Sequence, residues 1–124
     1  RYRTLRREGA REIVIKKSRF IGYGKPVTSE DEAIAFIESI RKKHWDATHN
    51  CYAYVIGERD EIQKSSDDGE PSGTAGRPIL EVIKAQQLKF TAIVVTRYFG
   101  GIMLGAGGLI RAYTEGAVQA IEAS

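Results

Sequence analysis

The chain is poor in cysteine, methionine, tryptophan and proline, with one, one, one and three in 124 residues. The lone Cys51 excludes an intrachain disulfide and makes a reducing compartment, the cytoplasm, the expectation. No apolar run approaches the roughly 20 residues that cross a bilayer, so no membrane partner is expected. The opening RYRTLRREGAREI has no apolar stretch of the signal-peptide kind. Charge of one sign is scarce as well. A net charge of +3 falls short of the polybasic tracts of strong nucleic-acid binders, so a polyanionic partner is permitted but not required. Several chemical motifs are missing too. There is no C-x-x-C, and His44, His49 and Cys51 lack a fourth ligand at zinc spacing, so no metal site is expected. The G-K-[ST] of a phosphate loop is absent, and the third glycine of a dinucleotide fingerprint falls on Ile110. In GEPSG, Pro71 stands where a nucleophile elbow needs its serine.

What remains is an ordinary globular balance, 42% hydrophobic and 28% charged, at a length suited to one compact domain. Ile13–Ile15 and Phe20–Tyr23 read as two strands, with a further strand conceivable at YRTLRR. Ser29 and Glu32 make an S-x-x-E capping box for a helix whose apolar face is Ala33, Phe36, Ile37 and Ile40, with Trp45 closing it as a core or hinge residue. NCYAYVIG and EIQKSS form a hairpin turning near GERD. A second helix starts at Pro78, a residue suited to the first helical position. The run AIVV in FTAIVVTRYF predicts a central strand buried on both faces. A glycine-rich loop then leads into a helix starting at Leu109. The fold class is α+β, a mixed sheet of four to five strands with helices packed on it.

Two stretches stand out. SSDDGEPSGTAGRP gathers Ser66, Asp67, Asp68, Gly69, Glu70, Gly73, Thr74, Gly76 and Arg77. Its three carboxylates suit Mg²⁺ or acid–base work. The same residues also suit a turn with Thr74 capping the next helix. RYFGGIMLGAGGLIRAY carries Gly100, Gly101, Gly105, Gly107 and Gly108 between Arg97, Tyr98 and Arg111. Open backbone N–H groups at a helix start, flanked by arginines, suit an anion or RNA phosphate; tight strand-to-helix packing requires glycines equally well. Tyr52, Tyr54, Tyr98 and Phe99 are base-stacking candidates if exposed.

KSRFIGYGKPV, THNCYAYVIG, SDDGEPSGTAGRPIL and VVTRYFGGIMLGAGGLIRAYTEGA together resemble the IMPACT family, including its YigZ/YvyE-type bacterial members. The resemblance runs from about Tyr2 to Ile121 and makes the two stretches halves of one signature. It implies the two-layer α+β sandwich of the second domain of small-subunit ribosomal protein five and of domain IV of elongation factor G. It implies that residues 1–124 are an N-terminal domain and that the ferredoxin-like C-terminal domain of bacterial relatives is absent here. It also implies a non-enzymatic, stress-linked translation role, contacting RNA, the ribosome or a translation-regulating protein, with no cofactor. No catalytic assignment comes with the family. The alternative is a phosphate-ligand enzyme or sensor using the glycine loop, with Asp67, Asp68 and Glu70 holding Mg²⁺.

Overall fold

The buried run AIVV becomes the axis of the molecule. In a computed structural model describing all residues 1–124, the elements follow as β1 (Gly9–Ile15), β2 (Ser18–Pro26), α1 (Glu30–Lys43), β3 (His49–Ile56), β4 (Ile62–Ser66), α2 (Gly76–Ala85), β5 (Thr91–Tyr98) and α3 (Gly105–Ala123). The sheet order is β1-β2-β5-β3-β4, so the last strand in sequence is the middle strand in space. Every β5 residue except Tyr98 is buried, as a strand covered on both faces must be.

The α+β class and the five-stranded sheet agree with the sequence. Two details differ. All four strand pairings are antiparallel, so the sheet is not mixed; a parallel link occurs only as the isolated bridge Arg3–Leu88, which is all that becomes of the strand sought at YRTLRR. Helices also cover both faces instead of one. Phe20, Cys51, Ala53, Val55, Ile93 and Val95 pack with α2 and α3. Their neighbours Ile21, Tyr23, Tyr54, Ile56, Ala92 and Val94 pack with α1. This alternation follows from the two-residue period of a strand. The β2–α1–β3 connection passes over one face, and the β4–α2–β5 connection over the other.

Local signals explain most elements. Ser29 Oγ accepts the Glu32 N–H at 3.1 Å, and the Glu32 carboxylate reaches back to the Thr28 N–H, one residue before the reciprocal partner of an ideal capping box. Trp45, expected to close α1 as a core or hinge residue, is 82% exposed and so not part of the core. The junction is closed instead by His44, whose ring nitrogens lie 2.5 Å from Tyr23 Oη and 2.7 Å from Tyr98 Oη. Burial, reinforced by Lys43, pushes the His44 pKa below its ordinary value. Helix α3 begins at Gly105, four residues before the expected Leu109, so three signature glycines lie in its first turn.

The α3 packing depends on missing side chains. A Cβ on Gly22 would lie 2.3 Å from the Gly116 carbonyl oxygen, and one on Gly116 would lie 2.9 Å from Val95 Cγ1. Both obstacles are in the buried layer between α3 and the sheet. Gly22→Ala is therefore expected to lower stability by about 1–3 kcal/mol or more through overpacking. Gly107→Ala, where the nearest atom is Arg111 Nη1 at 3.5 Å, is expected to raise it by up to about 1 kcal/mol through helix propensity. Urea unfolding of the two variants checks the contrast.

Candidate functional site

The acidic loop leaves β4 at Ser66 and folds back on itself. Asp68, Gly69 and Gly73 take positive φ values of 42°, 89° and 80°. Glycine adopts such values freely, whereas aspartate tolerates them when its side chain is locally bonded. Asp68 meets that condition. Its Oδ2 accepts the Asn50 N–H at 2.7 Å, its own N–H donates to Ser66 Oγ, and its carbonyl accepts from His49 Nδ1 at 2.8 Å.

Asp67 does the work the sequence suggests for Thr74. The N-cap of α2 is Ala75, without a side-chain bond, and Pro78 sits at the third helical position instead of the first. Thr74 Oγ1 donates backward to the Pro71 carbonyl. Asp67 Oδ1 accepts the N–H groups of Ala75 and Gly76 at 3.1 and 2.9 Å, and its Oδ2 accepts that of Gly73 at 2.9 Å. Burial alone would push this carboxyl up, but the three donors outweigh it and hold the pKa below the usual range. The Asp67 carbonyl also accepts from the Cys51 thiol, whose own pKa is driven up by burial.

Glu70 turns inward. Its side chain is 3% exposed. Oε2 accepts from Arg97 Nη1 at 2.8 Å and from Tyr113 Oη at 2.5 Å, and Oε1 lies 3.4 Å from His49 Nε2. Burial and the neighbouring Cys51 and Glu70 push the Tyr113 hydroxyl pKa up, so it stays a donor. Arg97 also donates through Nε and Nη2 to Ser18 Oγ, which accepts the Gly100 N–H as well. The guanidinium carbon sits 5.5 Å from the Phe20 ring centre and 5.3 Å from that of Phe99. The two signature loops thus meet through one buried ion pair, which reaches α3 through Tyr113 and β2 through Ser18.

Above this pair is a cleft of about 300 Å³ lined by Thr48, His49, Glu70, Pro71, Arg97, Phe99, Met103, Leu104, Gly105, Ala106 and Leu109. It brings Glu70, Arg97 and Gly105 together, but other candidates lie elsewhere. Arg77 borders a separate hollow with Gly73 and Ile110, and Arg111 another with Lys16 and Leu104. Gly101 is exposed, Gly107 carries Arg111 Nη1 alongside, and Gly108 packs against Leu104. The Tyr98 hydroxyl is bonded to His44 and Asp46, and Arg19 covers its ring at 5.0 Å. Tyr54 is buried and donates to Glu30; Tyr52 is half-buried and stacks on it. Phe99, a stacking candidate if exposed, is 45% exposed; sequence reasoning missed Ser18 and the outward pair Ile102 and Met103, 40% and 79% exposed. The signal for the latter was present in YFGGIML, apolar side chains among glycines with no strand or helix period.

Removing one member of the ion pair leaves the other buried and unpaired. Glu70→Ala and Arg97→Ala are each expected to cost about 3–5 kcal/mol in urea unfolding, and the double variant less than their sum. Asp67 gives the acid dependence. With a folded pKa below the unfolded value of about 3.9, its contribution is complete above that value and is lost as pH falls through the depressed range. Thermal melts between pH 7 and 2 are expected to lose less stability in Asp67→Asn than in the unmodified chain.

Comparison with known proteins fits this geometry. A family model described as the Impact N-terminal domain matches residues 16–121. The chain is 66% identical over 112 residues to IMPACT family member YvyE of Bacillus subtilis, covering 90% of this chain and 52% of that one. It is 48% identical over 109 residues to IMPACT family member YigZ of Escherichia coli, covering 86% and 53%. It therefore spans about half the length of these relatives. Among solved structures, a protein described as hypothetical superimposes with a TM-score of 0.92 at 40% identity, over 98% of this chain and 60% of that one. The two-domain translational regulator Yih1 superimposes with a TM-score of 0.60 at 26% identity, over 93% and 47%. The family match spans both loops that converge on the Glu70–Arg97 pair, and the chain belongs to the IMPACT family through its N-terminal domain.

Proposed function

We propose that this domain serves translation regulation by binding a macromolecular partner and not by catalysis. The observation that carries this reading is where the acids point. Asp67, Asp68 and Glu70 all direct carboxylate oxygens at internal donors, backbone N–H groups for the first two and Arg97 and Tyr113 for the third. A general base must reach a substrate proton, and a metal site needs several convergent free oxygens. No group of three His, Cys, Asp or Glu side chains is disposed to hold a metal ion. Family membership and the likeness to a translational regulator support the translational setting. Exposed apolar and cationic groups around the second loop support binding to RNA, the ribosome or a regulatory protein.

A second reading draws on one feature. Helix α3 starts with neither an acidic residue in its first turn nor a side-chain cap, which suits a phosphorylated small molecule. Under that reading Mg²⁺ must displace internal bonds to gain a carboxylate.

Reporter translation in a bacterial extract separates the two. The binding reading expects a dose-dependent change in yield and salt-sensitive co-sedimentation with ribosomes or a factor fraction. Unchanged yield without co-sedimentation, or a nucleotide- and Mg²⁺-dependent thermal shift that Asp68→Asn abolishes, would overturn it.

A further inference from the structure

The segment joining β5 to α3 exposes Phe99, Ile102 and Met103, and Ile110 follows at 42% exposure on the first turns of the helix. Met103, the only methionine in the chain, is 79% exposed. Large apolar side chains this concentrated mark an interaction surface. Phe99 and Met103 also border the cleft of about 300 Å³, which offers room for an entering apolar side chain.

The surroundings are cationic. Lys16 and Arg111 line one hollow beside Leu104, and Arg77 lines another beside Ile110. All three are exposed and none takes part in an ion pair. The nearby acids are Glu115 and Glu81, one in each hollow. Arg111 is unfavourably placed for the fold, because its Nη1 lies by Gly107 at the positive end of a 19-residue helix. An incoming carboxylate would relieve that repulsion.

The geometry points to a protein-docking surface whose occupant is a peptide segment combining one or two large apolar side chains with acidic neighbours. This rests on the binding reading above and names the partner's chemistry. The apolar side chain enters between Met103 and the cleft wall, and the acids meet Lys16, Arg77 and Arg111. RNA fits less well. Phe99 is the only aromatic ring of the patch, and the Arg97 guanidinium already occupies one of its faces. Ile102, Met103 and Ile110 present neither a stacking plane nor a hydrogen-bonding group.

Fluorescence anisotropy of the whole chain with four labelled probes tests this. The probes are a peptide of alternating Glu/Asp and Leu/Phe, the same peptide with Lys for the acids, the same with Gly for Leu/Phe, and oligo(U). The first alone is expected to bind measurably. Met103→Asp and Arg111→Glu, both at exposed positions, are each expected to weaken it at least tenfold without lowering the thermal melt, and Arg111→Glu to flatten its salt dependence. Equal binding of the glycine peptide, no binding of any peptide, tight binding of oligo(U) lost in the same variants, or wild-type affinity in both variants would overturn the inference. If the peptide binds as expected but reporter translation does not respond to the domain, the translational reading fails and the surface stands. If translation responds equally to wild type and to both variants, the surface inference fails alone.

Discussion

The buried pair of Glu70 and Arg97 is the contact on which the rest of the architecture depends. Two charges removed from water cost several kcal/mol each unless geometry and further hydrogen bonds compensate. Here the compensation is drawn from three segments: Tyr113 on α3, Ser18 and the Phe20 ring on β2, and the stretch after β5, which gives the Phe99 ring and, through Ser18, Gly100. Such a pair adds little to net stability relative to a well-packed apolar one. It does specify how the loops, the helix and the sheet must be arranged, because any other arrangement leaves a buried charge without a partner.

Around this pair, the two signature loops divide the labour. The acidic loop is turned inward, with Asp67 acting as an α2 cap supplied from a distance and Asp68 tying the loop to the start of β3. The glycine loop is turned outward. Its glycines let the chain bend at Gly101, with φ 91°, and begin α3 directly at Gly105, which leaves Ile102 and Met103 exposed. An inward-bonded loop thus stands beside an outward apolar one. Tight internal satisfaction of the acids and exposed apolar groups on the neighbouring loop are what a binding surface requires, and not what general acid–base chemistry requires.

Much of this was legible in the sequence, but only where the signal is local. The α1 cap, the β3–β4 hairpin and the buried β5 follow from residues within a few positions of one another. The choice of face for each helix is not local. It depends on which way each crossover passes, and neither α1 nor α2 carries a residue that says so; the two layers expected came from the family resemblance, whereas helices cover both faces. The partner of Glu70 was hidden for a related reason. Three acids and three arginines allow several pairings, and only the register of β5 against β2 places Arg97 beside Ser18 and Phe20. Thr74 looked like a helix cap by position, whereas the cap comes from Asp67, eight residues before Ala75. Trp45 had no periodic partner, and its exposure agrees with that.

The buried ion pair is expected to couple the two loops into one cooperative unit. Native-state hydrogen exchange tests it most directly, by following the amides of Gly73, Ala75, Gly76 and Gly100 in the unmodified chain and in Glu70→Gln. All four amides are expected to be protected through a shared opening, and Glu70→Gln to lower their protection together. Loss of protection at Gly100 alone, with the Asp67-bonded amides unchanged, would contradict it.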